Sequence, residues 1–266
     1  MFSEASLLLY PMCTMAGFCD VNFGLPVKLV KDEVKVRVRA EFSNQNSSEI
    51  HVNCVLESDL VNSKGEIFGE PRIHHSATVR LLKDGAVQEP ELPFNSPPGR
   101  SKASFQPAFI YQRFFHGPRF QVLGGLVKGV RDGEDIGADG IALLRSQLPN
   151  PYLFDGDDSA PVLLESLPML IEACFQNAGL VAMEVDGLSS LPIGIESVDI
   201  LKSPSARDNL RVRSFRRAIE DEGISLHDAI IFDGNQKPLV ILTGLRLKGM
   251  APVPDDLRFE LQRKSN

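Results

Sequence analysis

The segment 161–183, PVLLESLPMLIEACFQNAGLVAM, constrains this chain more than any other. It reads as one long, mostly apolar helix, interrupted by Pro168 in its first third. A helix that is apolar nearly all round has to be wrapped by other structure. Strand patterns flank it. Residues 120–130 and 136–144 form a candidate pair around Arg131-Asp132-Gly133-Glu134, and 194–202, 209–220, 228–232 and 239–248 follow. A core helix cradled by an antiparallel sheet is the expected second half of the molecule.

The first half repeats that plan in shorter form. Residues 1–10 read as an amphipathic helix that stops near Pro11. It begins at the first residue without a cap, so the expectation is a central helix cut at its start. Residues 34–42 (VKVRVRAEF), 50–57 (IHVNCVLE) and 75–81 (HSATVRL) alternate apolar and polar with period two, the mark of half-buried strands. Phe23-Gly24-Leu25-Pro26 and Asn62-Ser63-Lys64-Gly65 supply turns. Between the halves, Asn95-Ser96-Pro97-Pro98-Gly99-Arg100-Ser101 is dense in Pro, Gly and Ser and reads as a linker. The expected fold is therefore α+β, a double hotdog of two tandem units. The domains are 1–90 (truncated at its central helix), a linker at 91–107, and 108–266.

With 43% hydrophobic residues there is ample material for a core, and a net charge of −7 argues against general nucleic-acid binding. Cys13, Cys19, Cys54 and Cys174 lack metal-ligand or CxxC spacing and sit mostly among apolar neighbours, as buried reduced thiols of a cytoplasmic protein do. No apolar run reaches the roughly 18 residues a membrane span needs. The opening segment lacks the basic start of a secretory signal.

The sharpest chemical feature lies inside the apolar helix. Glu172 and Gln176 are four apart and share one face, so both reach the same small volume. A carboxyl among Leu, Ile, Met and Phe is expensive unless partnered or neutral. Desolvation is expected to raise its pKa towards that of a general acid. A purely structural Glu–Gln contact fits the same pattern, and the spacing does not separate the two. No HExxH, post-strand GxGxxG or GxSxG occurs, and no metal or redox cofactor is expected.

Met169-Leu170-Ile171-Glu172-Ala173-Cys174-Phe175-Gln176-Asn177-Ala178-Gly179 resembles the central helix of hotdog 3-hydroxyacyl-carrier-protein dehydratases. Arg113-Phe114-Phe115-His116-Gly117-Pro118-Arg119-Phe120 resembles the aromatic-x-Tyr-Gly-Pro-x-Phe motif of polyketide-synthase dehydratase domains, also used in polyunsaturated-fatty-acid assembly. The resemblance implies elimination of water from a 3-hydroxyacyl thioester, with Glu172 as acid and Gln176 holding it in register. His116, Gly117, Pro118 and Phe120 would line the substrate tunnel, and a backbone N–H such as that of Gly117 would face the thioester oxygen. Three departures stand out. Glu172 replaces the usual Asp and His116 the usual Tyr. The HxxxG…P motif that carries the family's catalytic His would fall upstream of Met1. As a substitute base His116 is the best candidate, with a hydrogen-bonding or packing role in place of Tyr favoured over it; His51, His74 and His75 read as solvated or packing residues, and His227 as exposed at a turn.

The resemblance also implies an acyl carrier protein presenting substrate on phosphopantetheine, and other synthase domains as partners, with a homodimer possible. Arg207, Arg211, Arg213, Arg216 and Arg217 form the densest basic cluster, either a docking patch for that carrier or a solvated strand face. A non-catalytic dehydratase-like domain, a cyclase or isomerase on the same fold, and a thioesterase-like hotdog remain as alternatives.

Overall fold

The computed structural model describes residues 1–27, 34–62, 64–83, 92–94, 97–98, 101–132, 135–144, 162–202, 204, 209–221 and 223–254. The chain divides into two compact units: Met1–Pro90 with Ile193–Ile200, and Glu91–Pro192 with Leu201–Asn266.

In the first unit, helix α1 (Phe2–Leu9) is followed by strands β1 (Thr14–Phe23), β2 (Arg37–Gln45), β3 (Glu49–Ser58) and β4 (Arg72–Leu82). They form an antiparallel sheet in the order β2-β3-β4-β1, closed by the last eight residues of β7 (Leu188–Ile200) against β1. The alternation read in the sequence sets the register. Ile50, Val52 and Cys54 face one side and lie opposite Leu81, Val79 and Ala77. Phe2, Leu7 and Tyr10 pack on that cluster. Each such aliphatic side chain contributes about 1.5–3 kcal/mol by leaving water.

In the second unit, the one-turn helix α2 (Pro107–Ile110) leads through a 3₁₀ turn at Pro118–Phe120 to β5 (Leu123–Asp132) and β6 (Asp135–Ala142). Helix α3 (Val162–Val185), β8 (Arg211–Asp221), β9 (Ile224–Phe232) and β10 (Pro238–Pro252) follow. The sheet order is β10-β9-β8-β6-β5, and α3 packs on these strands. Asn177, wholly buried, docks the helix: its amide donates to the Ala138 carbonyl at 2.9 Å and to Ser214 Oγ at 2.8 Å. Gly140 makes room, since a Cβ there would stand 2.6 Å from Asn177 Oδ1.

Several expectations need correction. β1 carries no alternation strong enough to have been read as a strand, yet it is central to its sheet. The N-terminal stretch of the first unit ends at Pro90, as expected, but the unit also takes in Ile193–Ile200, which pairs with β1. The stretch 91–107 is not simply a linker. Phe94 is buried against Phe215 at 5.0 Å, and Phe105 forms a β-bridge with Leu126. Helix α3 runs through Pro168 rather than breaking there. Residues 95–96, 99–100 and 133–134, parts of the expected linker and turn, lie outside the described residues.

Candidate active site

Glu172 sits on α3 at the level where the loop after α2 crosses the helix. Gly117 caps the 3₁₀ turn and Pro118 opens it with its fixed φ, so Phe120 N–H donates to the Gly117 carbonyl at 2.9 Å. This folds the 113–120 motif back onto the helix. Gly179 leaves space for the Phe114 ring, 3.4 Å from where its Cβ would be. His116 is held between aromatic rings, stacked on Phe115 at 4.8 Å and edge-on to Phe114 at 5.3 Å.

His116 Nε2 lies 3.0 Å from Glu172 Oε1, with the side chains 18% and 21% exposed. Gln176 Nε2 donates to the same oxygen at 2.8 Å and to the Phe120 carbonyl at 2.6 Å. Gln176 Oε1 accepts from the Tyr111 hydroxyl at 2.7 Å, and Leu123 N–H donates to that hydroxyl at 2.7 Å. The sequence-predicted Glu172, Gln176, His116 and Phe120 therefore meet in one network. Gly117 and Pro118 take part by shaping the turn. Glu172 is half-buried rather than enclosed, and among the described residues its Oε2 has no partner. Two donors on Oε1 and none on Oε2 leave Oε2 as the oxygen that can carry and deliver a proton.

Both nitrogens of His116 are turned away from open solvent in this arrangement. Nε2 faces Glu172, and Nδ1 is buried without a partner. Burial pushes the Cys174 thiol, beside Glu172 on the helix, far above its usual range, so it stays an unreactive thiol.

Tyr111 escaped the sequence reading. It lies five residues before His116, outside the recognised motif, and a tyrosine next to a helix end carries no signal of its own.

Of the other histidines, His227 departs from expectation, whereas His51, His74 and His75 take the packing and surface roles expected of them. His227 is not exposed at a turn. It is wholly buried in β9, its Nε2 lies 2.9 Å from Ser225 Oγ, and burial with Arg216 nearby lowers its pKa to about 3. His51 lies 3.0 Å from Glu49, and His74 uses both nitrogens, on Ser58 Oγ and the Leu25 carbonyl. His75 lies edge-on to Phe23, and burial lowers its pKa. Among the described residues the arginines of the cluster are mostly paired with acids rather than simply solvated. Arg213 is buried in a two-bond fork on Asp139, at 2.6 and 2.8 Å. Arg216 pairs with Asp186, and Arg217 with Asp135 and Asp228. Arg211 is half-buried, with Nη1 enclosed. Strand β8 lies inside its sheet, so acids on its neighbours take up most of these charges. Arg207 lies outside the described residues.

Among the described residues no group of three or more His, Cys, Asp or Glu side chains is placed to hold a metal ion. No helix among them is long and apolar enough to cross a membrane.

Comparison with known proteins agrees with this architecture. The polyketide synthase dehydratase N-terminal domain family matches residues 85–255, more than half of the chain. The dehydratase domain from the CurF module of the curacin polyketide synthase is similar with a TM-score of 0.60 and 17% identity, over 94% of this chain and 81% of that one. A trans-AT polyketide synthase dehydratase domain from Brevibacillus brevis gives 0.60 and 13%, over 94% and 83%. The dehydratase domain of RzxB from Pseudomonas fluorescens gives 0.53 and 19%, over 87% and 75%. No curated protein matches the sequence. The fold is a double hotdog, and the chain belongs to the polyketide synthase dehydratase family.

Proposed function

We propose that this chain supplies the acid half of a dehydratase site acting on 3-hydroxyacyl thioesters, and turns over slowly or not at all by itself. The observation that carries this reading is that Glu172 Oε1 is held by Gln176 and His116 while no described residue bonds its Oε2. From Oε2 the acid protonates the β-hydroxyl as the Cβ–O bond breaks and water leaves. The electron pair of the Cα–H bond becomes the new double bond. The α-proton goes to a base, and in this reading His116, with Nε2 on Glu172 and Nδ1 buried, is not that base. The Gly117 N–H is the proposed donor to the thioester oxygen. The exposed rings of Phe115 and Phe120 offer an apolar wall for the acyl chain. Substrate would arrive on the phosphopantetheine of an acyl carrier protein in the cytoplasm, alongside other synthase domains and in a homodimer, with no cofactor.

A non-catalytic, dehydratase-like scaffold is the second reading. It is favoured by the way His51, His74 and His116 are each engaged by a neighbour.

The deciding experiment is dehydration of a short 3-hydroxyacyl pantetheine thioester, with and without added imidazole. Turnover is expected to be feeble alone, to rise with imidazole, and to fall about 10²–10⁴-fold in Glu172→Gln. Brisk imidazole-independent turnover, lost in Glu172→Gln, would show that another group of this chain is the base. No turnover under any condition would favour the scaffold.

A further inference from the structure

We propose that Tyr111 is a positioning residue for the acid: it fixes which way the Gln176 amide faces, and so which oxygen of Glu172 is left to the substrate. The proposal rests on the reading of Glu172 as the acid.

The direction of each bond follows from one group that has no choice. Leu123 N–H is a backbone donor, and it points at the Tyr111 oxygen at 2.7 Å. With that lone pair taken by a donor, the phenolic proton turns to Gln176, 2.7 Å away. Only the carbonyl end of the amide can accept it. The NH₂ end is thereby turned to the other side, where its two hydrogens meet the Phe120 carbonyl and Glu172 Oε1. The opposite amide orientation would set NH₂ against the tyrosine and an oxygen against both a carbonyl and a carboxyl. Burial raises the Tyr111 phenol far above its usual value, so the hydroxyl remains a donor at every working pH. The ring is anchored as well. Its residue ends α2, its N–H bonds the Pro107 carbonyl at 2.9 Å, and Phe114 lies beside it.

Removing the hydroxyl leaves Leu123 N–H without an acceptor and frees the carbonyl end of Gln176. The amide can then swing away from Oε1, and the His116 Nε2 contact at 3.0 Å is left as the single hold on that oxygen, so the preference between the two carboxyl oxygens weakens. The remaining Phe120 contact is the competing explanation, because it could hold the amide unaided.

The test is Tyr111→Phe in the full chain, read by two independent measurements. The first is hydrogen exchange of the Gln176 side-chain amide by NMR, assigned with Gln176→Ala. The second is kcat and KM in the imidazole-supplemented assay. Both amide exchange and kcat are expected to change by about tenfold, faster and slower respectively, as loss of one hydrogen bond implies, with KM unchanged. An amide as protected as in the wild type would overturn the proposal and leave Phe120 as the anchor. A loosened amide with kcat unchanged would equally overturn it. If the wild type shows no turnover at all, the dehydratase reading fails, and the amide measurement alone decides the positioning role. Should Tyr111→Phe not fold, difluorotyrosine at 111 keeps the ring and hydroxyl but ionises at lower pH. Amide protection should then fall as it ionises, a pH limb that a merely structural role would not create.

Discussion

A carboxyl on an apolar helix gains its character from what touches each of its oxygens. In Glu172 two nitrogens lie at Oε1, and among the described residues none bonds Oε2. Buried polar groups elsewhere carry consequences of a different kind. His227 is wholly enclosed and its pKa is depressed to about 3, chiefly by desolvation. In the unfolded chain the same imidazole titrates near 6.5. Between these values the unfolded state binds the extra proton, so stability is fully present above about pH 6.5 and drains away as pH falls towards 3. The slope from this one group is at most about 1.4 kcal/mol per pH unit. Urea unfolding at pH 7 and pH 4.5 should show the loss in the wild type and a clearly smaller loss in His227→Leu. Equal losses would mean that other groups dominate acid unfolding.

Elements meet here through small residues and single polar tethers rather than through broad apolar contact alone. Helix α3 reaches β6 because Gly140 has no side chain, and is held there by the Asn177 amide on Ala138 and Ser214. Adding a methyl at 140 drives it into Asn177 Oδ1 at 2.6 Å and to within 3.0 Å of Val212. Such overpacking costs about 1–3 kcal/mol. Gly140→Ala is therefore expected to lower the melting temperature, and Asn177→Ala in the same chain should recover part of the loss. A double-mutant cycle with no coupling would refute the contact. The fork of Arg213 on Asp139 ties β8 to β6 in the same neighbourhood.

At the scale of the molecule, the chain does not divide at a single cut. The first unit takes its last strand from Ile193–Ile200, whose backbone pairs with β1. Gly17 marks how tight that pairing is, since a Cβ there would lie 1.9 Å from the Val198 carbonyl. A fragment ending at residue 90 would leave the β1 edge open, and unpaired strand edges associate. We expect residues 1–90 alone to be aggregation-prone, with β1 amides exchanging rapidly, and the addition of a 193–200 peptide to slow that exchange. Stable β1 protection in the bare fragment would show that β4 alone suffices.

Hydrophobic period and motif order, which are local properties, were legible in the sequence. The apolar run of α3, the alternation of β3 and β4, and the Glu172–Gln176 spacing are written in neighbouring residues, because i,i+2 and i,i+4 geometry follows from the backbone itself. That was enough for the double hotdog, for its family and for the contact between Glu172 and Gln176. What only the tertiary structure decided depends on residues far apart in the chain. His227 is buried because β9 is covered on both faces, and Arg213, Arg216 and Arg217 of β8 are paired with acids that lie on other elements. Tyr111 enters the site because Leu123 N–H and Gln176, 12 and 65 residues away, converge on its hydroxyl. A hydrogen bond between distant residues leaves no periodic trace in a sequence, since it exists only once the chain between them has folded.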